Sequence, residues 1–211
     1  MIMSALHVDR TKQRGRVIVC LSGGIDSTTL ATMALREGRL AACIVYRYAQ
    51  PHMEAELRMA TEWCRANGVL LMLVDIDLDG RRMALGPAKQ GSRVVPGRNM
   101  LMLSHAIAIA ASAGGEPVRE VWYGPTRDDR ADYADCTPEF VEAMDRLGAY
   151  SGVSVRAPLI DMTKREVVAL ARQLGVDLDM TWSCYEPTWR GWQPVPCGGC
   201  NACRLRDAAL A

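Results

Sequence analysis

An apolar run that ends on a glycine pair and passes at once into a helical pattern leaves a chain few ways to fold. Val17-Ile18-Val19-Cys20-Leu21 is followed by Ser22-Gly23-Gly24-Ile25-Asp26-Ser27, and then by Thr28-Thr29-Leu30-Ala31-Thr32-Met33-Ala34-Leu35. The first stretch reads as a strand buried on both faces and the last as a helix. Glycines between them let the backbone turn sharply and approach a ligand closely. The first-turn N–H groups of the helix and its positive dipole end then face whatever sits there, and an anion such as a phosphate is stabilised by both. An ordinary strand-to-helix turn capped by serines is the plainer reading. Two serines and an aspartate in the same six residues favour the ligand.

The loop is not a Walker motif, because no Gly-Lys-Ser/Thr follows, and it lacks the third glycine of a dinucleotide fingerprint. It resembles the pyrophosphatase loop, Ser-Gly-Gly-x-Asp-Ser, of enzymes that cleave ATP between its α and β phosphates to adenylylate a carboxyl or carbonyl oxygen.

Strands and helices alternate beyond it. Strands are predicted at 16–21, 41–46, 69–76, 121–123 and 153–159, and helices at 26–36, 52–66, 101–113, 138–147 and 164–174. Near-continuous apolar strands separated by helices specify a three-layer, doubly wound α/β fold of about five mainly parallel strands. Ligands of such sheets bind outside the carboxyl ends of the strands, where the glycine loop falls. Residues 1–15 read as a polar, basic extension, residues 16–180 as the nucleotide domain, and residues 181–211 as a cysteine-bearing segment packed on it. The segment 80–97 has no clean period and reads as a loop over the site.

Within 211 residues the chain can bury one good core, and a net charge of +1 supplies no general nucleic-acid surface. No apolar stretch is long enough for a membrane span, and the opening residues lack the apolar centre of a secretory signal. Cytoplasm is the expected compartment, so the eight cysteines are expected to be reduced or metal-bound rather than disulfide-linked. Cys184, Cys197, Cys200 and Cys203 form C-x12-C-x2-C-x2-C. Four thiolates favour one structural Zn²⁺ with no position left open for catalysis. An iron–sulfur cluster and unligated thiols are the alternatives. Cys20, Cys43 and Cys64 fall on predicted strands and a helix, where packing is the expected role.

Other segments carry two readings each. Asn99 either caps the helix from Leu101 or joins Arg98 in binding a carboxylate or phosphate. Asp128, Asp129, Asp132 and Asp135, around Tyr133, form either a solvated acidic loop or a site for Mg²⁺ or substrate amides. Thr163 and Glu166 fit a capping box. Lys164 between them is either solvated or a phosphate partner.

Taken together, several motifs resemble the 7-cyano-7-deazaguanine synthases, and the likeness covers the chain from Arg16 onward. They are Ser22–Ser27 with Thr28-Thr29, Val95-Pro96-Gly97-Arg98-Asn99, Asp135-Cys136-Thr137-Pro138-Glu139-Phe140, Pro158-Leu159, Thr163-Lys164-x-Glu166, and Thr181-Trp182-Ser183-Cys184-Tyr185 with the terminal cysteines. The resemblance implies ATP- and Mg²⁺-dependent conversion of 7-carboxy-7-deazaguanine and ammonia to the nitrile preQ0, through an acyl adenylate and an amide. It implies that Leu21-Ser22-Gly23-Gly24-Ile25-Asp26-Ser27-Thr28-Thr29-Leu30-Ala31 holds ATP, with Asp26, Ser27 and Lys164 at the chemistry. Arg98, Asn99, Asp132, Tyr133 and Asp135 would face the deazapurine, and the four cysteines would hold one structural zinc. Small molecules are the implied partners, with no nucleic acid or membrane, in a chain that pairs as a homodimer.

The chain departs from the family pattern at Arg47 and Pro51 after the second strand, at Gly124-Pro125-Thr126 after the fourth, at Asp132-Tyr133-Ala134-Asp135-Cys136, and in the long gap between Cys184 and Cys197. These positions bear on the substrate and on the second step, not on activation. The alternatives are a divergent ligase that stops at the amide or joins it to another amine, and a non-catalytic nucleotide-binding protein.

Overall fold

The computed structural model describes residues 15–48, 50–76 and 95–211. Residues 1–14 of the expected 1–15 extension and most of the expected 80–97 loop lie outside them.

Five parallel strands form the central sheet in the order β3-β2-β1-β4-β5. They are β1 (Arg16–Cys20), β2 (Leu40–Arg47), β3 (Leu71–Asp75), β4 (Val118–Trp122) and β5 (Ser154–Arg156). In β1 the side chains alternate: Val17 and Val19 enter one core, Ile18 the other, and all three are buried. This two-sided burial is why the strand reads as an unbroken apolar run.

Helices α1 (Ile25–Arg36), α2 (Met53–Asn67), α3 (Arg98–Ser112), α4 (Pro138–Ala149) and α5 (Lys164–Gln173) supply the outer layers. Leu30, Ala34, Val167 and Ala171 from α1 and α5 share the core of Val17 and Val19, while Leu103, Ile107 and Met144 from α3 and α4 pack with Ile18. The chain builds β2 and β3 outward on one side of β1, then returns to add β4 and β5 on the other. Strand order therefore reverses at β1, where the glycine loop emerges, and doubly wound sheets bind their ligands at such a point.

Two elements differ from the sequence expectation. Helix α3 begins at Arg98 because Gly97, at φ 74°, serves as its N-cap. Asn99 is thus the second helical residue, and the N-cap reading of it is corrected. The C-terminal region also holds more structure than its cysteines suggested: a hairpin of β6 (Thr188–Arg190) and β7 (Gln193–Val195), then α6 (Asn201–Leu210). Ala209 of α6 joins the main core beside Val167 and Ala171, so this end is not held by its four cysteines alone.

Candidate active site

The glycine loop is held from three sides. Gly23 has φ 80°, and a Cβ there would lie 2.4 Å from the Glu56 carbonyl oxygen of α2, so only glycine lets the loop rest on that helix. The Trp182 N–H donates to the Gly23 carbonyl at 2.8 Å. Within the loop, the hydroxyls of Ser22 and Ser27 lie 3.0 Å apart, and the Ser22 N–H donates to Ser27 Oγ at 3.1 Å. Gly24 caps α1 without a side-chain hydrogen bond, and Thr28 N–H, onto the Gly24 carbonyl at 3.0 Å, starts the helical ladder. The first-turn N–H groups ahead of it have no acceptor within the helix, as an anion site requires.

The eleven loop and helix residues divide by burial. Leu21, Ile25, Leu30 and Ala31 belong to the core, and the Thr29 hydroxyl donates back to the Ile25 carbonyl at 2.7 Å. Those side chains serve packing. Ser22 is exposed, and Asp26, in the first turn of α1, is half-buried.

Lys164, the first residue of α5, forms an ion pair with Asp26, and both side chains are 20% exposed. Burial pushes the Asp26 pKa up even against the Lys164 charge. Burial also opposes the Lys164 ammonium, but Asp26, with Asp129 and Asp128, leaves its pKa above the usual lysine value. Asp26 Oδ1 is buried and has no hydrogen-bond partner among the described residues. A carboxylate oxygen left in that state fits a cation or water carried in with a ligand.

The acidic loop is neither wholly solvated nor free. Asp128 accepts the Lys164 backbone N–H at 2.7 Å, and Asp129 accepts both the N–H and the hydroxyl of Thr126, at 2.8 and 2.7 Å. Thr163 and Glu166 form the expected capping box. These caps fix the start of α5 and so aim Lys164. The departure at Thr126 therefore has a local role, building its own turn. Arg47, at the end of β2, forks onto its register partner Asp75 at 2.6 and 2.5 Å, so that charge is taken up at the sheet edge.

Arg98 donates to the Tyr48 hydroxyl at 2.9 Å and, weakly, to Asn99 Oδ1 at 3.4 Å. Asp135 and Tyr133 are half-buried in the turn before α4, whereas Asp132 is exposed. The Asp135 carbonyl accepts from the Tyr123 hydroxyl at 3.4 Å.

Trp182 links the loop to the cysteine cluster, since its indole N–H donates to the Cys184 carbonyl at 2.7 Å. A cavity of about 600 Å³ opens beside it, bordered by Arg58, Ser183 and Arg206. The sulfurs of Cys184, Cys197, Cys200 and Cys203 all lie within 4.8 Å of one another, with Cys200 Sγ at 4.0 Å from Cys184 Sγ and 3.6 Å from Cys203 Sγ. Tetrahedral zinc with about 2.3 Å bonds sets sulfurs roughly 3.8 Å apart, so the group can close around such an ion. The N–H groups of Cys197 and Glu186 point at Cys184 Sγ, at 3.2 and 3.4 Å. Burial works against the Cys200 thiolate, yet the hydrogen bonds around it bring its pKa down to about 6.

Sequence reasoning missed Glu56. It lies on α2 beside the glycine loop, its side chain 18% exposed, and burial pushes its pKa up to about 7 against the opposing pull of Gln50 and Arg98. A signal was available: Glu56 stands three and four positions before Met59 and Ala60, on the apolar stripe of its helix.

The family model described as queuosine biosynthesis protein QueC matches residues 16–211. The chain belongs to the QueC family. Among curated QueC-like relatives, the 7-cyano-7-deazaguanine synthase of Marinobacter nauticus is 34% identical, covering 92% of this chain and 92% of that one. The enzyme of the same name from Cupriavidus pinatubonensis is 37% identical with the same two coverages. That of Frankia casuarinae is 36% identical over 95% of this chain and 91% of its own. Solved structures share the fold of this QueC member at lower identity. The NMN synthetase of Francisella tularensis superposes with a TM-score of 0.52 at 18% identity, over 79% of this chain and 64% of that one. The U34-tRNA thiolase NcsA of Methanococcus maripaludis, solved with its [4Fe-4S] cluster, gives 0.51 at 16%, over 80% and 64%. The chain thus spans less than two thirds of each of these two proteins. Among the described residues, no helix is long and apolar enough to cross a membrane.

Proposed function

We propose that this chain is an ATP-dependent ligase that converts 7-carboxy-7-deazaguanine and ammonia to 7-cyano-7-deazaguanine. The observation that carries the proposal is the Asp26–Lys164 pair at the mouth of a glycine loop, in a chain that matches synthases of that name along nearly its whole length. The match to synthases also favours this reading over a non-catalytic nucleotide binder.

A carboxylate is a poor electrophile. ATP activates it: a carboxylate oxygen attacks the α phosphorus, pyrophosphate leaves, and an acyl adenylate forms. The amides of the α1 first turn and the Lys164 ammonium hold the phosphate oxygens, where charge develops as the bond breaks. Asp26 orients Lys164, and its unpartnered Oδ1 would be available to hold the nucleotide's metal. Mg²⁺, when bound, neutralises the departing pyrophosphate. Ammonia then displaces AMP to give the amide, and a second activation, on the amide oxygen, lets its loss leave the nitrile. Arg98, Asn99, Tyr133 and Asp135 form the wall for the deazapurine, with exposed Asp132 at its rim.

Zinc, held by the four cysteines with no open position, would act structurally, tying Trp182 and so Gly23 in place. We assign residues 16–180 to the nucleotide domain and 181–211 to a metal-tied segment sharing its core. Pyrophosphate exchange into ATP that depends on 7-carboxy-7-deazaguanine tests activation. Exchange in the native protein and its loss in Asp26→Asn support the reading; equal exchange in both would remove it.

A further inference from the structure

Arg206 has no task in the proposed reaction, yet its hydrogen bonds converge beside the phosphate loop. It stands on α6, just beyond Cys203, with its side chain half-buried. Its Nη1 donates to the Thr181 hydroxyl at 2.9 Å and to the Ser183 hydroxyl at 3.3 Å. Its Nη2 donates to the Leu178 carbonyl, which also accepts the Thr181 hydroxyl at 2.7 Å. One guanidinium thus gathers oxygens from the segment 178–183, and two of them flank Trp182.

Trp182 is where that segment meets the glycine loop. Its N–H donates to the Gly23 carbonyl at 2.8 Å, and its own carbonyl lies 3.2 Å from where a Cβ on Gly24 would stand. The loop therefore rests on Trp182 as well as on the Glu56 carbonyl of α2.

Helix α6 has other anchors, so these bonds are not what holds it. Ala209 enters the main core, Cys200 and Cys203 are buried, and Arg172 donates to the Leu210 carbonyl at 2.9 Å. Arg206 itself forms no ion pair among the described residues. Burial holds its pKa below the usual arginine value, with Asp179 and Asp207 opposing through their charges. A half-buried guanidinium that meets only neutral oxygens is costly. What it supplies in return is direction, since its planar fork fixes several acceptors at once, as a lysine cannot.

Resting on the reading that the phosphates of ATP sit at this loop, we propose that Arg206 is a positioning residue for nucleotide binding. It braces Thr181 and Ser183, so that Trp182 keeps the Gly23 carbonyl, and with it the loop amides, in the arrangement that receives the phosphates. Those amides meet the phosphates both before and during cleavage. Loss of the brace should therefore weaken ATP binding more than it slows the bound complex.

Arg206→Met keeps much of the length of the side chain and removes every donor. Calorimetric titration with ATP, without the acid substrate, reads the loop apart from the reaction. The Kd for ATP should rise at least about 10-fold, the scale of a lost hydrogen bond from a charged donor. In pyrophosphate exchange the KM for ATP should rise with it, while kcat and the KM for the acid change by no more than about threefold. Hydrogen exchange at the Trp182 amide should quicken, and exchange at the amides of β1 should not. Arg206→Lys, which keeps the charge without the fork, should restore only part of the affinity.

Thr181→Val with Ser183→Ala removes two acceptors and leaves Arg206 in place. That pair should weaken ATP binding in the same direction, and adding Arg206→Met to it should cost little more. It also carries the test if Arg206→Met fails to fold. Unchanged ATP affinity in either variant overturns the inference, as does full recovery in Arg206→Lys or an equal loss of affinity for ATP and for the acid. Absence of ATP binding in the native protein would instead remove the reading of the loop, and the inference with it.

Discussion

The ammonium of Lys164 rests against the carboxylate of Asp26, 138 residues earlier in the chain. The contact joins the first turns of α5 and α1, so it ties the two helix starts together. Each partner is mostly buried, which makes the pair sensitive to loss of one half.

Lys164→Met leaves the Asp26 carboxylate buried without its cation, and should lower stability by about 3 kcal/mol. Combining it with Asp26→Asn removes both charges and should recover most of that loss while remaining inactive. Denaturant titration of the two single variants and the double variant checks the coupling. Additive losses would mean that the pair is not formed in solution.

The four cysteines should hold about one zinc per chain. Its removal by a chelator should loosen the segment around Trp182, whose N–H holds the Gly23 carbonyl, and so reduce nucleotide binding before the sheet unfolds. Metal analysis and titration with ATP measure both. Iron with visible absorbance would overturn the zinc assignment.

Glu56 gives stability a pH dependence of defined sign. Burial raises its folded pKa to about 7, from about 4.5. The stabilising contribution of the protonated form is complete below pH 4.5 and is lost as pH rises through 7. Glu56→Gln should therefore gain on the native protein, by on the order of 2–3 kcal/mol, between pH 4.5 and pH 8. Denaturant midpoints of both proteins at the two pH values check it. A pH-independent difference would show that the carboxyl group is hydrated in the folded protein.

Arg47→Ala separates the sheet edge from the site. Its fork onto Asp75 is partly solvated, so stability should change little, and pyrophosphate exchange should change by only a few-fold. A large fall in exchange would place Arg47 at the nucleotide after all.

Much of this architecture was legible in the sequence because it rests on local chemistry. The two-sided burial of β1, the turn at Gly23 and the capping box of Thr163 and Glu166 each leave a short-range signature. Helix α3 was read three residues short because Gly97 caps it through backbone conformation, with no side-chain signal. The β6–β7 hairpin escaped because its strands are three residues long and mostly exposed, with none of the alternation that marks a buried face. The uses of Asp128 and Asp129 could not be read either, since Asp128 meets a backbone N–H 36 residues away and Asp129 turns back on its own loop. Glu56 is marked in the sequence only by its place on the apolar stripe of α2, and the glycine loop lying on that helix leaves no trace there.

The most direct test of the account is mass analysis of the product from purified protein, 7-carboxy-7-deazaguanine, ATP, Mg²⁺ and ammonium, with ¹⁵N in the ammonium. The account predicts a nitrile that carries the label and two AMP released per product. An amide that accumulates without passing to nitrile, or AMP release with no labelled product, would contradict it.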